Sequence, residues 1–250
     1  MSPEDLDLLA RTLRRREALA ALGGLGAGVV LAATRGSTGL ARAAATTPEA
    51  STAAVCVLSP EVTEGPYWIS NHISRRNIKD GRPGLPLALY VTVVDATTCR
   101  AIAGADVELW HADAGGVYSG YSGTSPPSGR GGHATPNNSR RFLRGHQKAD
   151  AGGRVHFDTV YPGWYRGRAP HIHMKVHLGG SVVHTGQLFF PDTTSRAVYR
   201  TAKYRSHGLQ DTANSSDSIY AQAGRSKAVV HLVRRSAGGY NGSITVAVKR

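Results

Sequence analysis

Two histidines one residue apart, His171-Ile172-His173, are the first chemistry-bearing feature of the chain. On a β-strand residues i and i+2 project from one side, so both imidazoles face one way while Ile172 packs on the other, and two such rings can share a metal ion. With 11 histidines in the sequence, the pair alone fits a surface as well as a site. Its surroundings carry more. Just upstream, Tyr161-Pro162-Gly163-Trp164-Tyr165-Arg166-Gly167-Arg168-Ala169-Pro170 is a Pro/Gly-rich loop bearing two phenols and two guanidiniums, and loops mounted on rigid strands are where functional groups concentrate. A second segment, Glu108 to Tyr118, reads as a strand ending in a glycine turn that projects Tyr118. Taken singly, each tyrosine serves equally as an amphipathic packing residue. His111, His156, His177 and His184 are read as strand or surface residues rather than ligands.

The elements that must position these groups are strands. A chain of 250 residues fills one domain, and its 30 glycines, with Tyr outnumbering Phe and Trp, suit strands joined by tight turns. Apolar residues alternate in Leu89-Tyr90-Val91-Thr92-Val93 and in Val107-Glu108-Leu109-Trp110, as half-buried strands require. The pattern predicts strands at Leu87–Val94, Ala105–His111, Arg154–Val160, His171–Leu178, Ser181–Phe190, Ala228–Val233 and Ser243–Val248. Turn signals between them point to an all-β fold, a single sandwich of antiparallel strands with long functional loops. Two excursions, Gly115–Arg144 and Pro191–Gly224, are too polar and Gly/Ser-rich to be expected in the core.

The N-terminal region reads as a targeting segment. Arg14-Arg15-Arg16 precedes an uncharged Ala/Gly/Leu run from Ala18 to Ala33, followed by Ala41-Arg42-Ala43. A membrane span needs about 20 strongly apolar residues, so residues 1–45 are expected to be a cleaved leader rather than an anchor. The Arg15-Arg16 pair resembles the twin-arginine export signal, which moves folded proteins. Residues 46–55 are then expected to be a flexible linker, and 56–250 the folded sandwich domain. The formal charge is +13, and residues 1–45 hold six Arg against four acids, so the remainder keeps +11 (13 less 2). These cations are scattered without a nucleic-acid motif, which argues for a solvated surface that attracts anionic small molecules and against nucleic-acid binding. The two cysteines of an exported chain, Cys56 and Cys99, are expected to form a disulfide.

Trp110 through Tyr118, Tyr161 through His173 and Thr63-Glu64-Gly65-Pro66-Tyr67 together resemble the intradiol ring-cleavage dioxygenases, the protocatechuate and catechol dioxygenases among them. The resemblance extends from about Thr63 to Phe190. It implies one non-haem Fe(III), with Tyr118 and His171 as equatorial and Tyr165 and His173 as axial ligands, and with Arg168 and Gln187 beside them. Tyr118 rather than Tyr121, and Tyr165 rather than Tyr161, match the family spacing. Tyr67 and Trp164 are expected to line the substrate pocket. Phenolate is a hard anionic donor that favours a trivalent iron, and a phenol of pKa near 10 needs such a cation to ionise at neutral pH. The implied activity inserts both atoms of O2 into a catechol-type ring to give a cis,cis-muconate-type diacid, with Tyr165 leaving as base and Arg168 stabilising charge that develops on the ring. The stretch before Thr63 is too short and polar for the family's helical dimerisation segment, and monomer and homodimer both stay open. The leader, the cysteine pair and Asp211-Thr212-Ala213-Asn214 resemble the family's exported subgroup. An inactive sandwich that binds aromatic polymer or cell-wall material is the alternative, and a ferrous two-His-one-carboxylate enzyme lacks a carboxylate near His171 and His173.

Overall fold

A computed structural model describes residues 56–122 and 133–250. The leader and linker expected at 1–55 lie outside the described residues. Eight strands occur among those described: β1 (Pro86–Asp95), β2 (Asp106–Trp110), β3 (Arg144–Lys148), β4 (Arg154–Val160), β5 (His171–Leu178), β6 (Ser181–Phe189), β7 (His231–Arg234) and β8 (Tyr240–Val248). Two short helices, α1 (Asp192–Tyr199) and α2 (Ser218–Gln222), lie between β6 and β7. The strands form two four-stranded sheets, ordered β4-β1-β8-β7 and β3-β2-β5-β6. Every pairing is antiparallel except β1 with β8, which run parallel. The all-β sandwich is therefore as expected, with one parallel pair in place of a wholly antiparallel arrangement.

Alternation decides which face of each strand enters the core. Leu87, Leu89, Val91 and Val93 of β1, Val107 and Leu109 of β2, and Ile172, Met174 and Val176 of β5 meet in one apolar cluster, as a two-residue period dictates. The opposite face of the β3-β2-β5-β6 sheet carries Glu108, Trp110, Arg144, His146, His171, His173, Lys175 and Gln187, and all of them are buried. Loops cover this polar face. Buried polar residues are the informative exceptions in a protein, and here they line one surface.

Two expectations fail. The first excursion contains no strand in the sequence pattern, yet its end starts β3, because inward Gly145 packs against Ile78 and leaves no apolar alternation to read. The second excursion does enter the core: Val198, Tyr199 and Tyr204 belong to the central cluster. Tyr204 donates to the Tyr161 carbonyl at 2.8 Å and Tyr199 to that of Pro162 at 2.9 Å, so this polar stretch anchors the loop before β5. The cysteine pair is joined as expected, Cys56 to Cys99, tying the start of the described chain to the turn after β1. No helix among the described residues is long and apolar enough to cross a membrane.

Candidate active site

β5 sets His171 and His173 on the covered polar face, and their Nε2 atoms stand 3.0 Å apart. The Tyr118 hydroxyl lies 3.4 Å from His171 Nε2 and the Tyr165 hydroxyl 3.3 Å from it. Four donor atoms from three segments thus gather around one point. His171 Nδ1 lies 2.7 Å from the Ala169 carbonyl, and since a carbonyl only accepts, Nδ1 carries the proton and Nε2 presents a lone pair toward the others. Trp110 lies flat against His173, with 5.0 Å between ring centroids and 6° between planes, and fixes that ring. His173 Nδ1 is buried and has no hydrogen-bond partner among the described residues.

The electrostatics suit a cation. Burial pushes both imidazoles well below their usual pKa, so they are neutral donors. Burial raises Tyr165, with Arg168 opposing, and raises Tyr118 well above its ordinary value, with Tyr165 adding to the effect. Two buried phenols that resist ionisation, set against two neutral imidazoles, leave the pocket without the positive charge that phenolates would need, and a bound metal cation would supply it. Tyr118, Tyr165, His171 and His173 are 1%, 4%, 2% and 1% exposed, so bulk water is excluded from the cluster.

Glycine backbones allow the loops to close. A Cβ on Gly65, at φ +73°, would stand 3.0 Å from the His173 ring, so the segment Thr63–Tyr67 lies directly over that histidine. A Cβ on Gly116, at φ +80°, would stand 2.2 Å from the Trp164 carbonyl oxygen, which lets the Tyr118 turn and the Tyr165 loop meet. Asp113 accepts from the amides of Gly115 and Val117 at 3.0 Å each and shapes that turn.

Arg168 sits beside the cluster. Its Nε donates to Asp217 at 2.9 Å, its Nη2 to Gln187 Oε1 at 2.6 Å, and its Nη1 reaches the Tyr165 hydroxyl at 3.4 Å. Gln187 in turn donates to the Thr63 carbonyl at 2.9 Å. Tyr67 stacks on Tyr118 with centroids 4.4 Å apart, and its buried hydroxyl has no partner among the described residues. Trp164 is not brought into this aromatic group: it packs on the central core and His207, and its Nε1 donates to the Gly208 carbonyl at 3.1 Å. The rival tyrosines turn elsewhere, Tyr121 to the Ala134 carbonyl at 3.1 Å and Tyr161 to Ser195 Oγ at 2.8 Å.

Arg144 escaped the sequence reading. Buried at 1% exposure, it donates to Ser119 Oγ at 2.8 Å, to the Ser119 carbonyl at 2.9 Å and to the Tyr67 carbonyl at 2.8 Å, pinning both site loops to β3. A separate cavity of about 350 Å³ opens between the sheets beside residues 57–60. Of the candidate residues only Gln187 reaches its lining, so the convergent donors lie outside it.

The described site falls within a match to the family model Dioxygenase, which spans residues 63–196. An intradiol ring-cleavage dioxygenase from Tetranychus urticae is similar in structure, with 36% identity over 78% of this chain and 95% of that one, at a TM-score of 0.72. The dioxygenase domain of a dioxygenase carbohydrate-binding protein fusion from Streptomyces sp. SirexAA-E shares 25% identity over 77% and 98% of the two chains, at a TM-score of 0.56. A 3-chlorocatechol 1,2-dioxygenase from Rhodococcus opacus 1CP shares the fold at 20% identity over 77% and 73%, with a TM-score of 0.54. A search of curated protein sequences found no match.

Proposed function

Because the chain belongs to the intradiol ring-cleavage dioxygenase family, we propose that it is an exported enzyme that inserts both atoms of O2 into a catechol-type ring, using one non-haem Fe(III) held by Tyr118, Tyr165, His171 and His173. The observation that carries this reading is the gathering of two phenol oxygens and two imidazole Nε2 atoms around one buried point. Hard phenolate oxygen with imidazole nitrogen is the donor set that favours a trivalent iron. A ferric ion held by these four residues would supply Lewis acidity toward a bound catecholate.

The chain's own groups then have definite tasks. Ala169 holds His171 in the tautomer whose Nε2 is free to donate, and Trp110 keeps His173 in register. Tyr165 Oη, ionised while a metal is held, would take a proton from the incoming catechol hydroxyl and become the neutral phenol. Arg168, fastened by Asp217 and Gln187, keeps a positive charge beside Tyr165 Oη and beside charge developing on the ring. Tyr67 offers the substrate a hydroxyl that has no partner among the described residues, and its ring is held by stacking on Tyr118. The substrates are a small catechol and O2, and the enzyme is a monomer or homodimer. An extracytoplasmic location is supported by the Cys56–Cys99 disulfide, and the twin-arginine route by the Arg15-Arg16 sequence.

The test combines metal analysis, visible absorption and oxygen uptake across catechol, protocatechuate, hydroxyquinol and caffeate. The expected protein is wine-red with one iron per chain, and consumes O2 while forming a ring-opened diacid. A colourless protein with ferric iron present would refute the tyrosine ligation. Catechol binding without O2 uptake or ring-opened product would favour the inactive binding module. His171→Ala should lose its iron on dialysis; iron retained as in the parent would overturn the ligand assignment.

A further inference from the structure

The polar face that holds the Tyr/His cluster carries a second group of donors farther along β2, on the side away from Trp110. Glu108 of β2 stands opposite His146 of β3, and His177 of β5 stands opposite Asp106 of β2, just past the irregularity between Val176 and His177. One donor atom from each of Glu108, His146 and His177 lies within 4.8 Å of the other two. Glu108 Oε1 is 3.6 Å from His146 Nε2, and Glu108 Oε2 is 3.3 Å from His177 Nε2. A tetrahedral zinc with bonds of about 2.0–2.1 Å separates its donors by roughly 3.4 Å, and each histidine stands near that distance from a Glu108 oxygen, His146 from Oε1 and His177 from Oε2.

His146 carries the argument beyond a chance cluster. Its side chain is 8% exposed, and its buried Nε2 has no hydrogen-bond partner among the described residues although it points at Glu108. Its Nδ1 faces the Asp106 carboxylate at 3.2 and 3.3 Å, the carboxylate–histidine arrangement that puts the proton on Nδ1 and a lone pair on Nε2. Glu108 is held in place by Trp68 Nε1 at 3.2 Å and Asn71 Nδ2 at 3.4 Å. Lys175, which stands opposite Glu108 on β5, does not fill the cluster: its Nζ lies 3.8 Å from the centre of the Trp68 ring and pairs with Glu64.

We propose that Glu108, His146 and His177 form a second metal site, independent of the Tyr/His cluster, that takes a divalent transition ion of the zinc type. Two imidazoles and one carboxylate select such an ion over magnesium or calcium. Solvent completes the coordination on the side where the His177 side chain is 17% exposed. The ion would cross-link β3, β2 and β5 beneath the segment that bears Tyr67, whose neighbours Trp68 and Asn71 bond to Glu108.

The experiment titrates the mature protein with Zn(II) by calorimetry, with metal analysis after gel filtration. His171→Ala, which disables the other cluster, should still take up one Zn(II) per chain. His177→Gln should lose that uptake, and the exposed-side substitution Asp106→Asn, which leaves all three donors in place, should weaken it by about 10- to 100-fold. Thermal unfolding supplies a second readout: Zn(II) should raise the melting temperature of the parent and of His171→Ala, and not that of His177→Gln. No Zn(II) uptake by the parent, uptake abolished by His171→Ala, or uptake unchanged in both His177→Gln and Asp106→Asn would each overturn the proposal. If His177→Gln does not fold, the Asp106→Asn arm decides.

Discussion

Asp217 is the residue whose removal should report most sharply on how the site is held. Its carboxylate is 1% exposed and accepts from Arg168 Nε and Ala169 N at 2.9 Å each through Oδ2. Through Oδ1 it accepts from Ile219 N at 2.8 Å and Tyr220 N at 3.1 Å, capping α2. One side chain therefore neutralises a guanidinium that is 18% exposed and closes a helix end. Asp217→Ala forfeits both: breaking a buried ion pair costs about 3–5 kcal/mol, and losing a cap costs about 1 kcal/mol. Because one group supplies both effects they do not simply add, and about 4 kcal/mol is expected, a large part of the roughly 5–15 kcal/mol that a domain possesses. Asp217→Asn keeps an oxygen for the cap and should fall between parent and Ala. Urea unfolding followed by tryptophan fluorescence and circular dichroism gives the differences. The double variant Arg168→Met with Asp217→Ala removes both charges, and should be more stable than Asp217→Ala alone by at least about 1 kcal/mol. A loss below about 1 kcal/mol for Asp217→Ala, or strict additivity in the double variant, would refute the buried-pair argument.

Other outcomes follow from the same structure. Replacing Cys56 and Cys99 by Ser opens a link across 43 residues, for which chain entropy alone costs about 4 kcal/mol, read as a lower urea midpoint. His111 is buried, and burial holds its pKa down to about 4 despite its bond to the Ala112 carbonyl. The unfolded chain binds that proton near pH 6.5 and the folded one only near 4, so His111 lowers stability as pH falls through this window, by up to about 3 kcal/mol, and His111→Gln should flatten that slope. Gly116→Ala combines φ +80° with a Cβ 2.2 Å from the Trp164 oxygen and should cost about 3 kcal/mol. Gly104→Ala, at φ +73° with open space around it, should cost only about 1 kcal/mol in the same assay.

The sequence alone was sufficient for whatever depends on local period. Alternation in Leu87–Val94 and in Val107–Trp110 revealed β1 and β2 and their inward faces, and His171-Ile172-His173 disclosed its own geometry because a strand repeats every two residues. Motif spacing likewise favoured Tyr118 over Tyr121 and Tyr165 over Tyr161, the two phenols whose hydroxyls stand 3.4 and 3.3 Å from His171 Nε2, and the family followed from the same residues. Tertiary structure decided what depends on register between distant strands. Arg144 and His146 sit on a strand whose inward position is glycine, so no local pattern announces it, and they acquire meaning only when β3 lies against β2. His177 reads as a surface histidine until β5 brings it to Glu108, 69 residues away. Val198, Tyr199 and Tyr204 enter the core from a polar stretch because their partners, Tyr161 and Pro162, belong to the site loop. Alternation is a property of a few consecutive residues, whereas a buried polar face exists only once separate strands and the loops above them exclude water together.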